Sequence, residues 1–231
     1  MSSFSERYDQ LQQSLAEVLQ GCGRPADGAR VLAVSKTFPN EAILEAYACG
    51  VRSFGENKVQ ELSAKAESLP KDIEWHFIGH LQSNKAAKAV QYASWIHSVD
   101  SLKLLNKLDR AAGDMQKKVN ILLEVNSGEA AKSGVSYADL PALAEAAKNA
   151  QHLSWKGLMT MAPLSDDPEV WSEAFEKLRR TRDELEKTFS VTLPELSMGM
   201  SGDYPQAVQA GATIVRIGSA LFGYRSYQQV N

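Results

Sequence analysis

The chain has 231 residues, of which 44% are hydrophobic and 23% charged, the proportions of an ordinary globular protein rather than a disordered tail, a fibre or a low-complexity array. With 25 basic and 28 acidic residues the net charge is −3, which gives no electrostatic case for nucleic acid or an anionic membrane as partner. Only two cysteines occur, Cys22 and Cys49, in no metal or redox spacing; a disulfide scaffold is excluded and a reducing, cytoplasmic setting is expected.

The first residues lack the apolar core of a signal peptide, and no apolar run approaches the ~18 residues of a membrane span. Residues 4–20 carry Leu11, Leu15, Val18 and Leu19 on one stripe of a helix that Gly21 and Gly23 should stop. A rhythm follows. Short β-branched or aromatic runs fall at Arg30–Ser35, Val51–Phe54, Ile73–Ile78, Trp95–Val99, Val119–Val125, Leu153–Met159, Glu195–Met198 and Thr213–Ile217. Between all but the last pair lie longer stretches rich in Ala, Lys and Glu that read as helices. Their starts are marked: Asp100-Ser101 as an N-cap, Asp167-Pro168-Glu169 opening a helix to Phe189, and Asp203-Tyr204-Pro205 opening a short one. Alternating strands and helices demand a parallel sheet, and eight strands in this length predict a closed (β/α)8 TIM barrel with an extra N-terminal helix. The expected layout is one domain over 1–231, with the helix in 1–23 and the barrel in 30–222; an open doubly wound sheet is the structural alternative.

In a barrel, ligands bind at the C-terminal ends of the strands, and the chemically distinctive residues collect there. Ser201-Gly202-Asp203 after the seventh strand and Gly218-Ser219-Ala220 after the eighth fit a phosphate site: glycines admit backbone N–H groups, serines add donors, and a helix start favours an anion. As plain structure, the same glycines would be tight-turn residues. Lys36, directly after Val31-Leu32-Ala33-Val34, stands at the barrel mouth, where apolar walls suit a Schiff-base lysine; alone it would read as a solvated strand end. Beside a phosphate pocket it suggests either a class I aldolase or a pyridoxal phosphate protein. Arg216 alternates with Ile214 and Gly218, so a buried guanidinium must meet either a neighbouring acid such as Glu124 or a ligand atom.

Other polar residues read as structural. His76 and His80 stand i, i+4 but on a strand-like segment, which argues against zinc. His97 and His152 belong to no constellation. Met159, Met161, Met198 and Met200 read as packing, and Glu45, Glu61, Lys65 and the Lys177–Arg182 run as solvated helix faces.

Six ordered segments form a recognisable pattern: Val34-Ser35-Lys36-Thr37, Phe54-Gly55-Glu56-Asn57, Trp75 through Lys85, Gly157-Leu158-Met159-Thr160-Met161, Leu196 through Asp203, and Val215 through Gly223. In these the chain closely resembles the pyridoxal phosphate homeostasis protein family. The resemblance implies a barrel like the N-terminal domain of alanine racemase, holding pyridoxal 5′-phosphate (PLP) as an internal aldimine on Lys36. It further implies that Ser201, Gly218 and Ser219 bind the phosphate, Arg216 the pyridine nitrogen, and that Asn57 lies beside the cofactor, with His80 and Tyr204 one layer out. Two departures stand out: Asn126–Gly134 is one residue shorter than the family's usual loop, leaving Lys132 without an assigned role, and Lys58 replaces a frequent aromatic.

The resemblance implies a protein that buffers PLP and delivers it to PLP-dependent enzymes, with no established turnover. The residues themselves point to no metal, and a complete barrel without an obvious exposed apolar strip suggests a monomer, in the cytoplasmic setting expected from the cysteines. An arginine at the pyridine nitrogen weakens the ring as an electron sink, and two-base racemisation needs a tyrosine from a second domain. A small amino-acid racemase is the runner-up, and an aldolase acting on sugar phosphates the remote alternative.

Overall fold

The structure is a computed structural model that describes residues 2–128 and 133–223. Eight strands close into one parallel barrel in the order β1 to β8, each hydrogen-bonded to its sequence neighbours and β8 to β1. They are β1 (Arg30–Val34), β2 (Ser53–Glu56), β3 (Glu74–Phe77), β4 (Trp95–Val99), β5 (Val119–Glu124), β6 (Leu153–Met159), β7 (Glu195–Ser197) and β8 (Ile214–Ile217). The predicted strands all form. The open doubly wound alternative is excluded by closure of β8 on β1, with Leu32 opposite Arg216.

The helices that follow the strands are α2 (Asn40–Ala48), α3 (Val59–Ser68), α4 (Ala86–Tyr92), α5 (Leu102–Asp114), α6 (Leu140–Asn149), α7 (Pro168–Phe189), α8 (Tyr204–Gln209) and α9 (Ser219–Phe222), preceded by α1 (Phe4–Gly21). Their ends follow local chemistry. Ser3 and Glu6 form a capping box on α1, whose end is turned by Gly23 at φ +70° rather than by Gly21. Ser101 caps α5 by accepting from the Leu104 N–H, and Asp167 caps α7 through Glu169. No helix among the described residues is long and apolar enough to cross a membrane.

Two separate regions are buried. The larger fills the space between strands and helices, with Phe54, Phe77, Ile96, Leu123 and Leu158 facing outward from the barrel onto residues such as Leu62, Leu108 and Phe175. The smaller apolar group, Trp95, Leu122 and Met159, belongs to the barrel interior. The period-2 alternation of strands therefore aims the remaining inward positions along the axis: His76 on β3, His97 on β4, Glu124 on β5, Ser197 on β7 and Arg216 on β8, all buried. Branched aliphatics usually fill such layers. Here a polar column replaces part of them, and it leads to the site.

Candidate functional site

At the C-terminal ends of the strands the barrel opens into a cavity of about 690 Å³, within the range of small-molecule sites. Its walls include Lys36, Ser201, Arg216, Gly218 and Ser219, singled out from their positions, and Asn57, implied by the resemblance. A shallower groove of similar volume lies between α4 and α5, away from the strand ends, and contains none of them.

Lys36 follows β1 in a tight turn. The Ser35 N–H donates to the Gly55 carbonyl at 3.0 Å and the Phe38 N–H to the Ser35 carbonyl at 3.1 Å. Between them Thr37 takes φ +69°, a conformation that a β-branched residue seldom adopts without being held there. What holds it is Glu61, whose Oε1 accepts from the Thr37 N–H at 2.5 Å. Glu61 in turn accepts from Lys65 Nζ at 2.7 Å, and Lys65 also donates to Glu56 Oε1 and to the Ser35 carbonyl, each at 2.8 Å. Ser35 Oγ closes the network on Glu56 at 2.6 Å. The expectation that Lys65 is a solvated helix face is thus wrong: its side chain is 7% exposed, because β1, β2 and α3 bring three acceptors to one point. Glu61 belongs to the same network. Burial pushes the Glu56 carboxyl up, and Lys65 and Ser35 pull it back.

Asn57 sits just after β2. Its Oδ1 is buried without a hydrogen-bond partner. The Asn57 backbone passes so close to residue 79 that a Cβ there would lie 2.3 Å from the Asn57 carbonyl oxygen, so Gly79 is sterically required.

The turns after β7 and β8 meet across the mouth. Ser201 Oγ accepts from the Ala220 N–H at 3.4 Å, joining the two turns directly. Gly218 precedes α9, which Ser219 opens, leaving the first N–H groups of α9 without intrahelical partners. Gly199, at φ +91°, lets the β7 turn press against Tyr204 and Ala207. Tyr204, implied to lie one layer out, is not part of the wall; it packs against Gly199 of the β7 turn, and its hydroxyl meets Ser14 Oγ at 2.7 Å and ties α8 to α1. His80 does line the pocket, largely exposed, with Nδ1 3.5 Å from Asp100. His76, four residues earlier, is inside the barrel, so the pair does not share a site.

Arg216 is buried beneath the cavity. Nη1 donates to Ser197 O at 2.7 Å and to Ser197 Oγ at 3.0 Å, and Nη2 to Thr160 O at 2.9 Å. Of the two partners foreseen, an acid such as Glu124 or a ligand atom, the ion pair with Glu124 is not formed; Ser197 and Thr160 accept from the guanidinium. A guanidinium has five N–H donors, so Nε–H and one Nη2–H remain. Burial lowers its pKa to about 10, which leaves it charged at neutral pH.

Glu124 escaped the sequence reading as a site residue. It lines the cavity, with Oε1 accepting from Ser133 Oγ at 2.7 Å and Oε2 buried without a partner, and burial pushes its carboxyl up. The available signal was its register: Leu122 and Glu124 point inward on β5 as His97 does on β4. Met161 and Met200 also line the cavity, whereas Met159 and Met198 are packing residues as expected. Lys132 lies outside the described residues.

The pocket therefore has the Arg216 guanidinium at its floor, Lys36 at the end of β1, serine- and glycine-rich turns after β7 and the neighbouring β8, and unsatisfied acceptors at Asn57 and Glu124. A closed barrel with an N-terminal helix and such a pocket defines a class, and the family described as "Alanine racemase, N-terminal domain" matches residues 7–226. Within that class the chain belongs to the pyridoxal phosphate homeostasis protein family. A relative of that name from Vibrio alginolyticus is 42% identical over 98% of this chain and 100% of its own length. PipY of Synechococcus elongatus PCC7942, in a structure without PLP, is 40% identical with a TM-score of 0.84, over 96% of this chain and 100% of that one. The PipY structure with PLP bound is 42% identical with a TM-score of 0.77, over 90% and 100%.

Proposed function

We propose that this chain binds PLP in the cavity above Arg216, as a Schiff base on Lys36, and that it buffers the cofactor and delivers it to PLP-dependent enzymes as a cytoplasmic monomer. The observation that carries this reading is the convergence of Lys36, Arg216 and the Ser201/Gly218–Ser219 turns on one cavity, in a family whose member PipY has a structure with PLP bound.

The residues fit the cofactor chemically. A phosphate monoester needs several N–H and O–H donors on a small concave surface; Ser201, Gly202, Gly218 and Ser219 offer them on two turns joined by the Ser201–Ala220 bond. An aromatic nitrogen accepts one hydrogen bond, and Arg216 has donors left to give it. Asn57 Oδ1 and Glu124 Oε2 lack partners, as groups waiting for a polar ligand would. When bound, PLP supplies an aldehyde that a primary amine can capture reversibly. Lys36 supplies that amine, held in place by the turn that Glu61 and Lys65 fix.

Two features of the cavity support storage over turnover. Two-base racemisation requires a second proton carrier across the ligand. Among the described residues of the wall the uncommitted candidates are His80, largely exposed, and Glu124, and there is no tyrosine. Arg216 is a poor proton donor at neutral pH and leaves the ring nitrogen unprotonated, which disfavours carbanion chemistry. The free thiols of Cys22 and Cys49 suit a reducing cytoplasm.

The deciding experiment is the visible spectrum of the purified protein before and after borohydride, followed by peptide mass mapping. A yellow band that bleaches and leaves a pyridoxyl group on Lys36 supports the reading. A colourless protein that takes up no added PLP refutes it and turns attention to sugar phosphates. Racemisation of amino acids by the loaded protein would replace storage with catalysis.

A further inference from the structure

The polar column inside the barrel is continuous. Glu74 Oε1 lies 2.8 Å from His76 Nε2, His76 Nδ1 2.9 Å from His97 Nε2, and His97 Nδ1 2.9 Å from Ser197 Oγ, which accepts from Arg216 Nη1 at 3.0 Å. These five residues cross the barrel from β3 through β4 and β7 to β8. They run from a half-exposed carboxylate at the N-terminal floor to the buried cation under the ligand cavity. Neither histidine nor Ser197 lines that cavity.

The ends of the column dictate its interior. A carboxylate can only accept, so a neutral His76 donates to it from Nε2 and accepts on Nδ1. A neutral His97 does the same toward His76, and the Ser197 hydroxyl, which accepts from Arg216, is left to donate to His97 Nδ1. One tautomer of each ring satisfies all four contacts, and both rings are neutral. A proton added to His76 would set a donor against a donor, and one added to His97 Nδ1 would make Ser197 Oγ accept twice, reversing the order of the chain at the cost of charging a fully buried ring.

We propose that Glu74, His76, His97 and Ser197 are positioning residues for Arg216: a one-way hydrogen-bond chain that holds the guanidinium with its remaining N–H groups free for the ligand and transmits the charge of the floor to the pocket. This inference rests on the reading of the cavity as a PLP site. It accounts for two features that packing does not explain. Two histidines occupy layers where branched aliphatics would be expected, and among the described residues Arg216 has no carboxylate in ion-pair contact although it is buried. The chain gives it one indirectly, in Glu74. The other charged groups around the column are Arg30 on β1 and Glu195 on β7 near His76, and Glu124 and Asp203 near Arg216. Arg30 and Glu195 neutralise one another at 2.8 Å, which leaves Glu74 as the floor charge that touches the column.

Two measurements test the proposal. The first uses no ligand: the imidazole nitrogen shifts of His76 and His97 in ¹⁵N-labelled protein at pH 7. Both rings should be neutral with the proton on Nε2; an Nδ1–H tautomer or an imidazolium on either ring overturns the chain. The second is the PLP dissociation rate of the loaded protein in a double-mutant cycle. Ser197→Ala should speed loss by about tenfold, the order of one hydrogen bond to a charged group, with Ser197→Thr restoring it. Glu74→Gln, at a half-exposed position far from the ligand, should speed loss roughly threefold in the intact chain and have no effect in the Ser197→Ala background. An equal Glu74→Gln effect in both backgrounds means that the charge acts through space, and overturns the transmission. Asp72→Asn, at a surface carboxylate outside the column, should change nothing. If the wild-type protein takes up no PLP, the functional reading fails, and the tautomers alone decide the column.

Discussion

Lys65 Nζ lies 2.8 Å from the carbonyl oxygen of Ser35, the residue that precedes Lys36, and simultaneously bridges Glu56 and Glu61. A lysine from α3 therefore sets the turn that presents another lysine to the cavity. Removing one member of a buried ionic group strands its partners, at a cost on the order of 3–5 kcal/mol. Lys65→Met should lose about that much in urea denaturation at neutral pH. Without Lys65 nothing cationic holds the Glu56 carboxyl down, so the deficit should shrink on acidification as Glu56 takes up a proton instead. A deficit below about 1 kcal/mol at pH 7 would show that the network contributes little.

Gly79 and Gly202 make a matched pair. A Cβ on Gly79 would meet the Asn57 carbonyl oxygen at 2.3 Å and its Cα at 2.7 Å, both backbone atoms that cannot rotate away, whereas a Cβ on Gly202 would meet nothing within 4 Å. Gly79→Ala should cost about 2 kcal/mol or more and weaken PLP uptake by displacing Asn57; Gly202→Ala should stay within about 0.5 kcal/mol of wild type. Thermal melts and PLP titrations of the two variants check this directly, and equal stability would contradict the close approach of β2 and β3 at their C-terminal ends.

The barrel was legible because its signals are local: β-branched runs at strand spacing, Ser101 and Asp167 as caps, and glycine turns after β7 and β8. Lys36, Ser201, Arg216, Gly218 and Ser219 were legible for a related reason, since a strand end identifies the side of the barrel on which a residue stands; Asn57 came only with the family pattern. What the sequence concealed is which inward side chains meet across the barrel. His97 carries no motif, and its partners His76 and Ser197 lie 21 and 100 residues away, joined only by barrel closure. Lys65 failed for a similar reason. Helical spacing puts it next to Glu61, as on any solvated face, and only the docking of α3 onto the ends of β1 and β2 buries it.

Acid should destabilise the fold through its two buried histidines. Both are held below the ordinary 6.5, chiefly by burial, His97 well below it. Between the folded and unfolded values the unfolded chain binds more protons, so stability is intact above about pH 6.5 and declines as pH falls below it, by up to ~1.4 kcal/mol per pH unit per histidine. Glu56 and Glu124, whose carboxyls are raised, act with the opposite sign: their contribution is present at low pH and is lost as pH rises above the ordinary carboxylate range. Comparing wild type with His97→Gln between pH 7 and pH 5 isolates the histidine contribution. The wild-type melting temperature should fall more steeply, and parallel curves would rule out a neutral buried His97 as a source of acid sensitivity.

Covalent capture and phosphate anchorage should separate by mutation. Lys36 and the Ser201/Gly218–Ser219 turns come from different strand ends, β1 on one hand and β7 and β8 on the other, so a side chain can be removed from either while the other's residues stay in the chain. Lys36→Ala should abolish borohydride trapping and the yellow band yet leave weak, phosphate-competitable PLP binding, because the serines, the glycines and Arg216 remain. Ser201→Ala removes one hydroxyl donor and the acceptor that joins the two turns through the Ala220 N–H. It should keep the band and the trapped adduct but speed PLP loss by roughly ten- to a hundredfold, the order of one hydrogen bond to a charged group. Stopped-flow transfer of PLP to an excess of an apoenzyme reads that rate. An unchanged rate would remove Ser201 from the phosphate site, and trapping at another lysine in Lys36→Ala would displace Lys36 from the centre of the mechanism.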